Sequence, residues 1–220
     1  MHLYGIAAAA LALGAQPPDA QPPLELVRPV GGSLVVHAAP ASRVVADVGT
    51  QTDFGSRLQY AVVERRGKWL GVITPAVRNG AIGWVNARAV RRARLLRERV
   101  DVDLSRRLLR VLRGERIVYR TAVAIGGPES PTPVGRFAIT DKLPGSELGT
   151  VYGCCVLVLS GHQPRPPRGW EPADYRLAIH GGDVRTIGGA VSAGCLHART
   201  PALRFLMSRL PLGTPVTIHP

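Results

Sequence analysis

His180 and Cys195 stand fifteen residues apart, each in a glycine-bearing run: His180-Gly181-Gly182 and Ser192-Ala193-Gly194-Cys195-Leu196-His197. A thiol and an imidazole in such settings are the parts of a cysteine nucleophile. The thiol attacks as thiolate, and an unperturbed pKa of about 8.5 leaves little of it ionised at neutral pH, so a neighbouring imidazole that takes the proton is the usual activator. Gly194 lets the chain turn tightly beside the sulfur, which aims successive N–H groups at an oxyanion. His180, Cys195 and His197 share no Cys-x-x-Cys or His-x-x-x-His spacing, so no metal site is expected from them.

Those residues need elements to hold them. Leu177-Ala178-Ile179 reads as a strand that delivers His180 at its end. Val151–Leu159 reads as a buried strand containing Cys154 and Cys155, whose side chains should point to opposite faces. Three cysteines make no even disulfide framework, so both are expected as small buried hydrophobes. Val100–Leu104 alternates as a strand, and Arg107–Leu112 and Arg116–Ile125 flank Arg113-Gly114 as a hairpin. Near the end, Thr200 is placed to cap a helix that has Pro201 in its first turn and Leu203, Leu206, Met207 and Leu210 at helical spacing.

The order Pro131-Thr132-Pro133-Val134-Gly135-Arg136-Phe137, then Ile179-His180-Gly181, then Ser192-Ala193-Gly194-Cys195 resembles the catalytic domain of L,D-transpeptidases, over roughly Val100 to Pro220. That resemblance implies a mixed β-sandwich with a short helix after the cysteine, and cysteine acyl transfer between peptidoglycan stem peptides without a cofactor. It implies Cys195 as the acyl-accepting nucleophile and His180 as its base. Gly181 falls where a backbone carbonyl helps hold the imidazole, and Gly194 beside the oxyanion donors. Ala193 stands where the family pattern has a second His, and His197 where Arg or Asn is common. His197 and Arg199, with Ser192 and Tyr152, are therefore the candidate substrate-binding side chains. Water in place of an amine acceptor would make the same intermediate an L,D-carboxypeptidase product. A non-catalytic wall-binding protein is the rival from another class.

Upstream, short apolar segments from Leu34 onward alternate with the turn signals Arg66-Gly67 and Asn79-Gly80. The phrases Gly67-Lys68-Trp69 and Gly83-Trp84-Val85 resemble bacterial SH3-like domains, which implies a small barrel over 31–92 and contact with the wall. Trp69 and Trp84 are expected chiefly as core packing. A basic linker over 93–99, within the arginine-rich run Arg88–Arg99, then leads to the catalytic domain at 100–220. The fold expected is thus mainly β: a small barrel, then a sandwich.

Residues 1–30 are read as a leader. Ile6–Gly14 is a short apolar run followed by the proline-rich stretch Gln16–Pro23, with no Lys or Arg ahead of it. This points to export, outside the cytoplasmic membrane, and the run is too short to span a bilayer. The chain has 220 residues, enough for two small cores, and carries 28 Lys and Arg against 15 Asp and Glu. Scattered arginines without a recognition helix, zinc finger or aromatic ribonucleoprotein pattern argue against nucleic acid as a partner. They suit an envelope lined with carboxylates and phosphates.

Overall fold

The computed structural model describes residues 23–169 and 175–220. The apolar leader run Ile6–Gly14 lies outside the described residues. Seven strands make a first sheet: β1 (Leu24–Pro29), β2 (Leu34–His37), β3 (Val44–Val48), β4 (Tyr60–Arg66), β5 (Trp69–Val72), β6 (Gly83–Asn86) and β7 (Val90–Leu96). Their order is β3-β2-β6-β5-β4-β1-β7, with every pairing antiparallel. Alternation puts Leu34 and Val36 of β2 inward, against Val27, Tyr60, Val62, Val72 and Val85. Trp84 is buried beneath the Arg66 guanidinium, 4.9 Å from its ring, whereas Trp69 is half-buried and edge-on to His37.

The rest of the chain adds β8 (Glu98–Asp103), β9 (Leu108–Arg113), β10 (Arg116–Ala122), β11 (Ile125–Gly126), β12 (Gly135–Pro144), β13 (Cys155–His162) and β14 (Arg176–His180). Then come β15 (Ala190–Ser192), β16 (Leu196–His197), the helix α1 (Thr200–Arg209) and β17 (Pro215–His219). Eight of these strands form a mixed sheet in the order β10-β9-β8-β17-β12-β13-β14-β16, parallel at β8/β17 and β14/β16. β11 and β15 pair separately in parallel. The fold is mainly β. α1 packs on β13, and its Leu203 and Leu206 join Phe137, Leu157, Leu177 and Ile179 in a core distinct from that of the first sheet.

Several sequence expectations need correction. The leader read over residues 1–30 overlaps the first sheet, because Leu24–Pro29 is β1, and the basic linker read over 93–99 falls largely in strand, because Val90–Leu96 is β7 paired along β1 and the next strand begins at Glu98. Val90 and Leu96 are buried while Arg91, Arg92 and Arg94 between them stay at the surface, so charge on the outer face hid a strand anchored at its two ends. Asn79-Gly80 is not a tight hairpin turn. It lies in the connection 73–82, where the Asn79 amide donates to the His162 carbonyl at 2.6 Å and accepts from its N–H at 2.9 Å, tying the first sheet to β13. Thr200 is the first residue of α1, with Arg199 at the cap and no side-chain capping bond.

The segment Val151–Leu159 is strand only from Cys155. Thr150–Tyr152 is a 3₁₀ turn, and Gly153 follows it with φ 69, a left-handed geometry that glycine adopts without a Cβ clash. Cys154 therefore precedes the strand, and the opposite-face expectation, which holds only for extended chain, fails. Cys154 and Cys155 form a disulfide with each other and both pack against the core of the eight-stranded sheet. Cys195 is the free cysteine.

Candidate active site

Strand alternation builds the site. Along β14, Leu177 and Ile179 enter the core while Ala178 and His180 face the other way; along β13, Leu157 and Leu159 enter it while Val156 and Val158 do not. The register sets Val156 opposite His180 and Val158 opposite Ala178, which assembles one face. β16 then pairs in parallel with β14, placing His197 beside His180 with ring centroids 4.6 Å apart. Tyr152 closes the other side of His180 at 4.9 Å. These residues line a cavity of about 420 Å³ with Cys195, Ala193, Tyr175, Arg176, Leu143, Leu148, Val151 and Phe54.

His180 is buried, and its Nδ1 lies 2.5 Å from the Gly181 carbonyl. A carbonyl only accepts, so Nδ1 carries the proton and Nε2 keeps its lone pair. Burial, and then the neighbouring His197, push the His180 pKa down to about 4, although the Gly181 carbonyl works the other way. Burial pushes the Cys195 thiol up to about 11, against smaller lowering effects from the Ala178 backbone and the Tyr175 hydroxyl. At neutral pH the pair thus rests as thiol and neutral imidazole.

The turn before the thiol is held from three sides. The Ser192 hydroxyl donates to the Cys195 carbonyl at 2.6 Å and accepts from the Gly194 N–H at 3.1 Å. Thr132 donates to the Gly194 carbonyl at 2.9 Å and accepts the Gly126 N–H at 2.8 Å, which gives the Pro131-Thr132-Pro133 segment a positioning task. Gln163, 1% exposed, spreads its amide over the carbonyls of Ser130, Pro131 and Ala193 at 3.0–3.3 Å. Gly194 has φ 112, and a Cβ there would strike the Gln163 amide at 1.9 Å, so this position requires glycine twice over.

Of the residues singled out from sequence, Cys195, His180, Tyr152 and His197 meet at the cavity. Gly181, Ser192 and Gly194 support them from behind, and Arg199 is exposed at the start of α1 and does not line it. Tyr175, Gln163 and Phe54 were not anticipated. Tyr175 hydrogen-bonds the Cys195 sulfur, and burial first, then Cys195 and Tyr152, push its hydroxyl up to about 12. No motif marks it.

A family model described as YkuD, L,D-transpeptidase catalytic domain, matches residues 97–218. A Bacillus licheniformis protein assigned as the L,D-transpeptidase YkuD is 32% identical over 123 residues, 56% of this chain and 66% of that one. Among solved structures, Bdellovibrio bacteriovorus Bd1075 is 22% identical, with 56% of this chain and 48% of that one covered and a TM-score of 0.45. The catalytic domain of an E. faecium L,D-transpeptidase is also 22% identical, covering 56% and 96%, with a TM-score of 0.40. L,D-transpeptidase 3 of Mycobacterium tuberculosis, in complex with a faropenem-derived adduct, is 15% identical, covering 63% and 73%, with a TM-score of 0.43. The chain spans just under two thirds of the Bacillus licheniformis relative and about half of Bd1075.

Proposed function

This chain belongs to the L,D-transpeptidase catalytic-domain family, and from that membership we propose that it is a peptidoglycan L,D-transpeptidase with Cys195 as nucleophile and His180 as base. The observation that carries the residue assignment is the joint burial of a free thiol and an Nδ1-tethered imidazole in one cavity. Because the thiol rests protonated, His180 Nε2 takes its proton as sulfur attacks the carbonyl of the L-centre in a donor stem. The oxyanion forms beside the Cys195 N–H, since the Gly194 N–H is already engaged by Ser192. His180 then passes the proton to the leaving D-amino acid, and a thioester remains on Cys195. An incoming amine gives its proton to His180 and attacks the thioester, forming the new peptide bond and returning the thiol.

No cofactor enters this sequence. His197 and Tyr152 flank the imidazole and are read as donor-positioning residues; Arg199 is not. The rival of a non-catalytic scaffold draws on Ala193 and His197, but the Ala193 carbonyl has a structural role under Gln163, and the thiol and imidazole are intact. The first sheet is read as the SH3-like, wall-contacting module, and the leader as an export signal that places the protein in the cell envelope.

The test is incubation of the protein with purified muropeptides and mass spectrometry of the products. Cross-linked dimers are expected, and tripeptides alone would assign the carboxypeptidase reaction instead. Cys195→Ala should give neither, with an unchanged melting temperature. A carbapenem should add its mass to the wild type and not to Cys195→Ala; an equal adduct on both would sink the nucleophile assignment.

A further inference from the structure

The turn 51–57 belongs to the first sheet by sequence, yet it is fastened to the second. Gln51 and Arg57 bridge across it, the Thr52 N–H donates to Ser56 O at 2.8 Å, and Gly55 turns the chain with φ 80. The Thr52 oxygen accepts from the Ser56 N–H at 3.1 Å and the Phe54 N–H at 3.3 Å, while its proton goes to Asp141 Oδ1 on β12. Asp141 is fully buried and its other carboxyl oxygen has no hydrogen bond, so the Thr52 hydroxyl is a partner this buried polar group cannot lose cheaply. One residue on, Asp53 lies 3.6 Å from the Arg176 guanidinium of β14. Arg176 is in turn fixed by the Leu159 carbonyl at 2.8 Å and the Thr140 hydroxyl at 3.1 Å.

Directly after these fastenings the turn presents Phe54, 41% exposed, as part of the wall of the cavity that holds Cys195 and His180. Arg176 lines the same cavity. The neighbouring wall is aliphatic, from Leu143, Leu148, Val151, Val156 and Val158. A large apolar ring in the wall of a nucleophile's cavity, on a turn anchored by Thr52 and Asp53, is suited to cover a hydrocarbon segment of a bound substrate.

We propose that Phe54 is a specificity-determining residue of the acyl-donor site, packing on the aliphatic part of the donor stem, so that the first sheet completes a cleft the second leaves open. This rests on the transpeptidase reading above. The experiment uses the full chain: wild type, Phe54→Ala, Phe54→Leu and Thr52→Val, each acylated by a tetrapeptide-stem donor and, separately, alkylated at Cys195 by iodoacetamide. Phe54→Ala should raise the donor KM about tenfold with kcat held within about twofold. Phe54→Leu should recover most of that loss. Thr52→Val, which releases the turn without touching the cavity, should raise KM likewise, and alkylation should proceed at the wild-type rate in all. A wild-type donor KM in Phe54→Ala overturns the proposal, as does a parallel loss of alkylation, which would mean a structural role. A wild type that forms no acyl-enzyme with stem donors overturns the transpeptidase reading and this one with it.

Discussion

Cys195 held as a thiol and His180 as a neutral imidazole have consequences for both rate and stability. His180 is competent as a base wherever it is unprotonated, so acylation should be flat from about pH 6 to 8 and fall along one limb centred near pH 4. That limb belongs to the coupled pair. A limb centred at the ordinary imidazole value or above would mean that the resting pair is ionised, contrary to the burial described. His180→Gln should remove nearly all the rate, whereas His197→Gln should weaken donor use modestly; equal loss would reassign the base. Stability follows the same groups. Between about pH 6.5 and 4 the unfolded chain takes up a proton on His180 that the folded protein resists, so its contribution is full above pH 6.5 and declines toward pH 4, by about 3 kcal/mol at most. Cys195 acts at the other end: its contribution is full below about pH 9 and is lost toward pH 11. Urea melts across this range should show the acid decline reduced in His180→Gln. Behind the thiol, Thr132→Val leaves the Gly194 carbonyl and Gly126 N–H without their partner. It should cost about 1–3 kcal/mol by urea melt and slow acylation about tenfold while Cys195 remains present.

α1 shows how a short helix is secured from outside itself. It lacks a side-chain cap at its start, but the Lys142 ammonium from β12 donates to the carbonyls of Met207 at 2.5 Å and Leu210 at 3.0 Å, at the helix end where positive charge is favoured. Lys142→Met should cost about 1 kcal/mol and speed hydrogen exchange in the last turn, with β13 unaffected. This helix was legible from its leucine spacing, and so were several strands: β2, β4, β5 and β6 as short apolar runs between turn residues, and β8 from its alternation. That Cys195 and His180 would be candidates for one site was legible for a related reason: each sits in a short run whose meaning is local, and the structure brings both to one cavity. What escaped was set by pairing across distance. β7 hid behind its arginines because only its two ends are buried, and Gln163 follows β13 with nothing nearby to announce three carbonyl acceptors. Tyr175 reaches the sulfur only once β14 lies beside β13 and β16. The paired cysteines escaped because the strand read from Val151 begins only at Cys155, four residues on, past a glycine that turns the chain.

At the scale of the molecule, the two sheets are joined by Asn79 to His162, Thr52 to Asp141 and Asp53 to Arg176. Because the Asn79 pair uses both edges of one amide, Asn79→Ala should separate the unfolding of the sheets more than it lowers the stability of either; two transitions by calorimetry, where the wild type shows one, would be the sign. The bond between Cys154 and Cys155 alters how the whole protein presents itself to chemistry. Of three cysteines only one is a thiol in the oxidised molecule, so a labelling reagent applied after denaturation without reductant should mark a single site, and reductant should raise the tally to three. Read before reduction, that count is a census of unreacted nucleophile, and every turnover intermediate or inhibitor adduct subtracts from it one for one.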